Sequence, residues 1–178
     1  MNELLPLGAP EFFVLFAGVL AGALVQGTIG FGLNVIAAPV AAIVAPNALP
    51  AALIILSLPM TAGSAWRERH AIDRRGVFWT TLGRLPGIAL GSVVVARLET
   101  DALVSWIGAM VVAAATMSVV ASRIPINPAS SLVAGAAAGL MGTTSSMGGP
   151  PIALLYQRES GPVLRATLGT SFLLGSSL

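Results

Sequence analysis

The sequence predicts an all-α, polytopic membrane protein, and three observations carry that prediction. Of the 178 residues, 56% are hydrophobic and only 9% are charged, against roughly 25% charged in a soluble domain. That leaves too little polar side chain to cover a soluble globule. Phe12–Trp66 runs for 55 residues without a charge, and a second uncharged run covers Ile124–Gln157. A span needs about 20 apolar residues, so the first run holds more than one element. Both runs are also broken by glycine and proline where a helix cannot pass undisturbed, because proline lacks an N–H and clashes with the preceding turn.

Composition narrows the function classes. All nine basic residues are Arg and the net charge is only +2. They lie mostly in short loops, which reads as membrane topology and not as a nucleic-acid surface. The absence of Cys excludes disulfides and Cys-ligated metals or clusters, and no cofactor or metal is expected. The start, Met1-Asn-Glu-Leu-Leu-Pro6, has no basic n-region, so a cleaved signal peptide is not expected.

Residues 12–45 are expected to form a broken segment. A single helix of that length would measure about 50 Å at 1.5 Å per residue, too long for a hydrocarbon core of about 30 Å. Gly27, Gly30, Gly32 and Pro39 offer the break, giving half-length pieces at about 12–27 and 33–45. Ala45–Pro50 is turn chemistry, and a helix follows at about 49–66. Arg67-Glu-Arg-His-Ala-Ile-Asp-Arg-Arg75 is the densest charge cluster and marks the cytoplasmic side. The next helices are expected at 76–97, containing Arg84 and Pro86, and at 102–122. Arg97, Glu99 and Asp101 form the loop between them, and Arg123–Pro128 forms another turn. Residues 129–157 are the second broken segment, interrupted in Gly142–Tyr156 at Gly148-Gly-Pro-Pro151. A partial helix follows at 163–178. Its last uncharged stretch ends inside an apolar pattern without a cap, so a second copy of the chain or further C-terminal helices are expected to complete it.

The glycine clusters at 27–32 and 145–150 occupy similar places in their segments, about 117 residues apart. The implied unit is one broken or re-entrant segment plus three transmembrane helices. The first unit covers 1–123, and the second, incomplete, covers 124–178. Arginine placement bears on topology. With Arg84 set aside, single crossings divide the arginines five inside and three outside, whereas re-entrant hairpins divide them seven and one. The positive-inside rule favours hairpins, entering from opposite faces as in inverted repeats.

The residues Gly27-Thr-Ile-Gly-Phe-Gly32 with Pro39, the basic loop, Gly91, Gly148-Gly-Pro-Pro151 and Arg165-Ala-Thr-Leu-Gly-Thr-Ser171 together resemble the sulfite exporter TauE/SafE family, also called the toluene-sulfonate uptake permease family. Two departures stand out: final helices are missing, and the first motif continues Gly-Leu-Asn where the family has more glycine. The resemblance implies a duplicated membrane domain of about eight helices in the cell membrane, the inner membrane of a bacterium. It also implies transport of small anions, sulfite or organosulfonates.

Such anions require N–H and O–H donors and positive potential. Helix starts supply both, and glycine lets backbone approach a ligand. The expected substrate-binding set is Gln26, Thr28, Phe31, Asn34, Arg84, Thr143, Thr144, Ser145, Ser146, Gly148 and Gly149. Each hydroxyl has a plain structural reading as glue between helices. Arg84 either holds an anion or snorkels to headgroups, and Phe31 either gates or packs. His70 reads as a solvated loop residue, and Trp66, Trp79 and Trp106 as interfacial anchors. No acid lies within a predicted span, so no carboxylate proton relay is expected there. An intramembrane serine protease is rejected, since His70 is the only His and no Lys exists. The expected mechanism is alternating access, with the anion between the two broken segments. An anion channel and a non-transporting assembly subunit are the alternatives. The expected partners are a small anion and the lipid bilayer, with no nucleic acid.

Overall fold

The structure, a computed structural model, describes residues 8–46, 49, 51–120 and 124–177. The turn at 45–50 falls largely outside these residues, and Arg123 falls wholly outside. Among the described residues eight α-helices follow in order: α1 Ala9–Ile29, α2 Leu33–Val44, α3 Ala51–Arg67, α4 Arg74–Arg97, α5 Thr100–Val120, α6 Pro128–Ser145, α7 Gly149–Tyr156 and α8 Gly161–Ser176. A 3₁₀ turn at Arg69–Ala71 carries the basic loop, and no strand occurs among the described residues. Outward faces are apolar: Phe12, Phe13, Phe16, Leu20 and Leu24 of α1 are all exposed. A contiguous apolar surface of this kind belongs in lipid or at an interface. Among the described residues α1 and α4 are long and apolar enough to cross a membrane.

Helix ends coincide with the two glycine clusters for identifiable reasons. Gly30 closes α1 in the left-handed region at φ 97°, donating its N–H to Gln26 O, and Gly32 has φ 127°. Both values suit glycine and penalise other residues. Ser146 closes α6 at φ 61°, donating its N–H to Gly142 O. Pro150 and Pro151 then occupy the first turn of α7, where a missing N–H costs little. Asn127 starts α6 with a capping box, exchanging hydrogen bonds with Ser130.

Two expectations need correction. The first piece of the first segment is not half-length, because α1 has 21 residues, about 31 Å, whereas the second, α2, is the expected short piece of 12 residues. Pro39 does not belong to the break but lies inside α2, as Pro59 and Pro86 lie inside α3 and α4.

Each interrupted segment folds back on itself. Gly18 faces Val40 and Gly22 faces the Leu33 backbone, so α2 returns along α1. Ala134 and Ala138 of α6 pack with Ile152 and Ala153, so α7 returns along α6. Helices α4, α6 and α8 run side by side in one direction, away from the basic loop. Gly135 lies against Thr80 O and Gly139 against Arg84 O, while Thr80 Oγ1 meets Ser171 Oγ at 3.3 Å. The α1–α2 turn points toward the basic loop, where Gly30 packs on Arg165. The two turns therefore come from opposite ends and meet. Asn34 Nδ2 donates to Ser146 O at 2.8 Å, and Phe31 packs against Gly149.

Candidate functional site

The site is built where the two turns touch. Gly32 is the N-cap of α2 and offers no side chain, so the first amides of that helix need acceptors from elsewhere. Gln26, seven residues upstream, supplies one: its Oε1 accepts from Leu33 N at 3.2 Å. That bond fixes the amide orientation and leaves Gln26 Nε2 buried without a partner. Gln26→Leu is expected to strand the buried Leu33 N–H and cost about 1–3 kcal/mol, read as a lower melting temperature in detergent.

Beside the contact lies a cavity of about 490 Å³. Asn34, Ser57, Thr61, Arg84, Thr143 and Ser146 give it polar walls, with Gly148 and Phe172 at one side. Arg84 is only 4% exposed, and its Nε and Nη2 have no hydrogen-bond partner. Its guanidinium sits 5.0 Å from the Phe172 ring centroid, a cation–π contact. Gly175 makes room for it, since a Cβ there would overlap Nη1. Among the described residues no carboxylate lines the cavity. An unpaired buried cation costs several kcal/mol, so the cavity favours an anion.

The two α3 hydroxyls on the cavity wall are turned to their own helix. Ser57 donates to Ile54 O at 2.9 Å, and Thr61 donates to Ser57 O and Leu58 O at 3.0 and 2.9 Å. Their protons are committed to α3, so only lone pairs face the cavity. Donors for an anion must come from Arg84, from amide groups, from backbone or from other wall hydroxyls such as that of Thr143. Pro150 and Pro151 have no N–H to offer, which leaves Gly148 and Gly149 at the start of α7.

The structure gathers Asn34, Arg84, Thr143, Ser146 and Gly148 on the large cavity. It places Gln26, Phe31 and Gly149 on an adjoining pocket of about 20 Å³, roughly the room one water needs. Thr28, Thr144 and Ser145 line neither. Thr28 is exposed and bonds Leu24 O and Val25 O. Thr144 and Ser145 bond Leu140 O and Met141 O on their own helix. Arg84 does not snorkel, being enclosed by α4, α6 and α8. Sequence reasoning missed Ser57, Thr61 and Phe172. The available signal was Ser57 and Thr61 four apart in an uncharged helix, which puts them on one face.

The family profile described as Sulfite exporter TauE/SafE matches residues 14–178, more than nine-tenths of the chain. The chain belongs to the TauE/SafE family. No curated protein and no solved structure matches it. As a TauE/SafE protein it falls among membrane transporters of sulfur anions and not among enzymes. Its lipid-compatible α1 face and its arginine-bearing cavity agree with that membership.

Proposed function

We propose that the protein carries sulfite or an organosulfonate across the cell membrane by alternating access, binding the anion at Arg84 between the two helix interruptions. One observation carries the reading. Arg84 is a buried guanidinium with two unpartnered nitrogens, set in the wall of a 490 Å³ cavity that no carboxylate lines among the described residues. A guanidinium fork matches an oxyanion in bidentate geometry. The α1–α2 and α6–α7 hairpins act as re-entrant units approaching from opposite faces, as in inverted-repeat transporters. The bilayer orientation follows from arginine placement. Arg67, Arg69, Arg74 and Arg75 lie in the basic loop, Arg158 and Arg165 border the α7–α8 connection beside it, and Arg97 ends α4 at the far end. The basic end is therefore cytoplasmic.

The test is solute counterflow in proteoliposomes loaded with unlabelled sulfite and diluted into labelled sulfite. Transient accumulation of label that taurine or another sulfonate competes away is the expected result. Absence of accumulation for sulfite and for sulfonates would remove the carrier reading.

A further inference from the structure

The large cavity runs from Arg84 and Phe172 to Ala51, Ala96 and Ser176. Those three residues sit at the ends of α3, α4 and α8 farthest from the basic loop. Among the described residues none that lines the cavity lies in the basic loop. There Arg165, in the second turn of α8, holds Glu68, the residue after α3. Its Nε donates to Oε1 and Oε2 at 3.1 and 3.0 Å, and its Nη2 donates to Oε1 at 2.6 Å. The same guanidinium donates through Nη1 to Thr28 O at 3.3 Å, in the last turn of α1. Gly30 then packs flat on Arg165, where a Cβ would stand 2.5 Å from Arg165 Cγ.

We propose that the Arg165–Glu68 pair is the gate on the basic side of the transporter, and that breaking it lets the α1–α2 turn leave α8 and opens the cavity toward that side. The proposal rests on the transport reading above. Three elements that close the path converge on one guanidinium: the end of α1, the loop after α3 and the start of α8. The neighbouring Tyr156–Asp73 bond, 2.6 Å long, joins α7 to α4. Both of those helices belong to the body built on the α4–α6 contact, so that bond is not the moving joint. The pair is also placed to open reversibly. Its side chains keep 20% and 14% of their exposure, so water can replace each partner as they part. A bidentate arginine pair gives a defined closed geometry.

The chain has no Cys, so one introduced thiol is a unique reporter of access. Ser57→Cys places it on the cavity wall. In vesicles of known orientation, a membrane-impermeant maleimide is expected to label it from the face opposite the basic loop. Adding Glu68→Gln is expected to raise labelling from the basic side roughly tenfold, the change given by loss of about 1.4 kcal/mol. Glu68→Arg with Arg165→Glu is expected to return basic-side labelling toward its starting level. Unchanged basic-side labelling in both Glu68→Gln and Arg165→Gln, with labelling from the other face retained as proof of folding, would overturn the gate. Labelling reads access and needs no turnover. Sulfite counterflow with unchanged labelling contradicts the gate alone, and the expected labelling without counterflow of any sulfur anion contradicts the transport reading alone.

Discussion

Arg84→Gln is expected to weaken sulfite binding without harming the fold. Hydrogen bonds to a charged group contribute about 1.5–3 kcal/mol, so affinity should fall roughly 10- to 150-fold. Stability should move the other way. The guanidinium is 4% exposed with Nε and Nη2 unpartnered, and removing an uncompensated buried charge relieves its desolvation cost. The melting temperature of empty protein in detergent should therefore hold or rise while the dissociation constant climbs. Arg84→Lys keeps the charge but loses the planar fork, and should fall between the two. Equal sulfite affinity in wild type and Arg84→Gln would remove the arginine from the site.

Gly135→Val should do the opposite, destroying stability through a residue that never touches the cavity. Gly83, Gly87 and Gly91 recur every fourth residue on α4 and face Leu132, Ala136 and Leu140 of α6, whose Gly135 and Gly139 face Thr80 and Arg84 in return. A Cβ on Gly135 would meet Thr80 O, with Thr80 C at 2.9 Å and Thr80 Cα at 3.0 Å; on Gly87 it would meet Ala136 O. All these neighbours are backbone, so no side chain can rotate aside. Small residues that let helix backbones touch are a main source of packing in membranes, where the hydrophobic effect does not drive helices together. Overpacking costs about 1–3 kcal/mol, and the same seam holds Gly139, where a Cβ would stand 2.6 Å from Arg84 O. The expected outcome is a lower melting temperature and less monodisperse protein on size exclusion, with Gly135→Ala milder. Gly108→Ala, on α5 with nothing within 4 Å of the new Cβ, is the control and should be neutral. A Gly135→Val protein as stable as wild type would contradict the close α4–α6 seam.

Much of the helical pattern was readable from residues because its causes are local. Charge-poor runs called for membrane helices, and Gly30, Gly32 and Pro150-Pro151 stand where helices stop for reasons of φ and missing N–H groups. Pro39 misled, since a proline inside a helix is tolerated when its neighbours meet the freed carbonyl. Site membership was less legible because it depends on helix phase and on other helices. Thr143 to Ser146 are spread around most of a helical turn, so they cannot all face one cavity; Thr144 and Ser145 donate to Leu140 O and Met141 O of their own helix. Gln26 has the right chemistry for a ligand, yet its carbonyl caps α2, a role visible only once the chain has folded back. Arg84 sits at a depth that allows either snorkelling or burial. The choice was made by Gly139 and Gly175, which lie far along the sequence and close in space.

The most direct measurement is the position of bound anion. Selenite replaces the sulfur of sulfite with an anomalous scatterer of the same geometry and charge. In crystals soaked with selenite, the strongest anomalous peak at the selenium edge is expected within hydrogen-bond reach of Arg84 Nε and Nη2, and it should be lost in Arg84→Gln. A selenite peak elsewhere in a transport-competent protein, with the Arg84 cavity holding only solvent, would contradict the assignment.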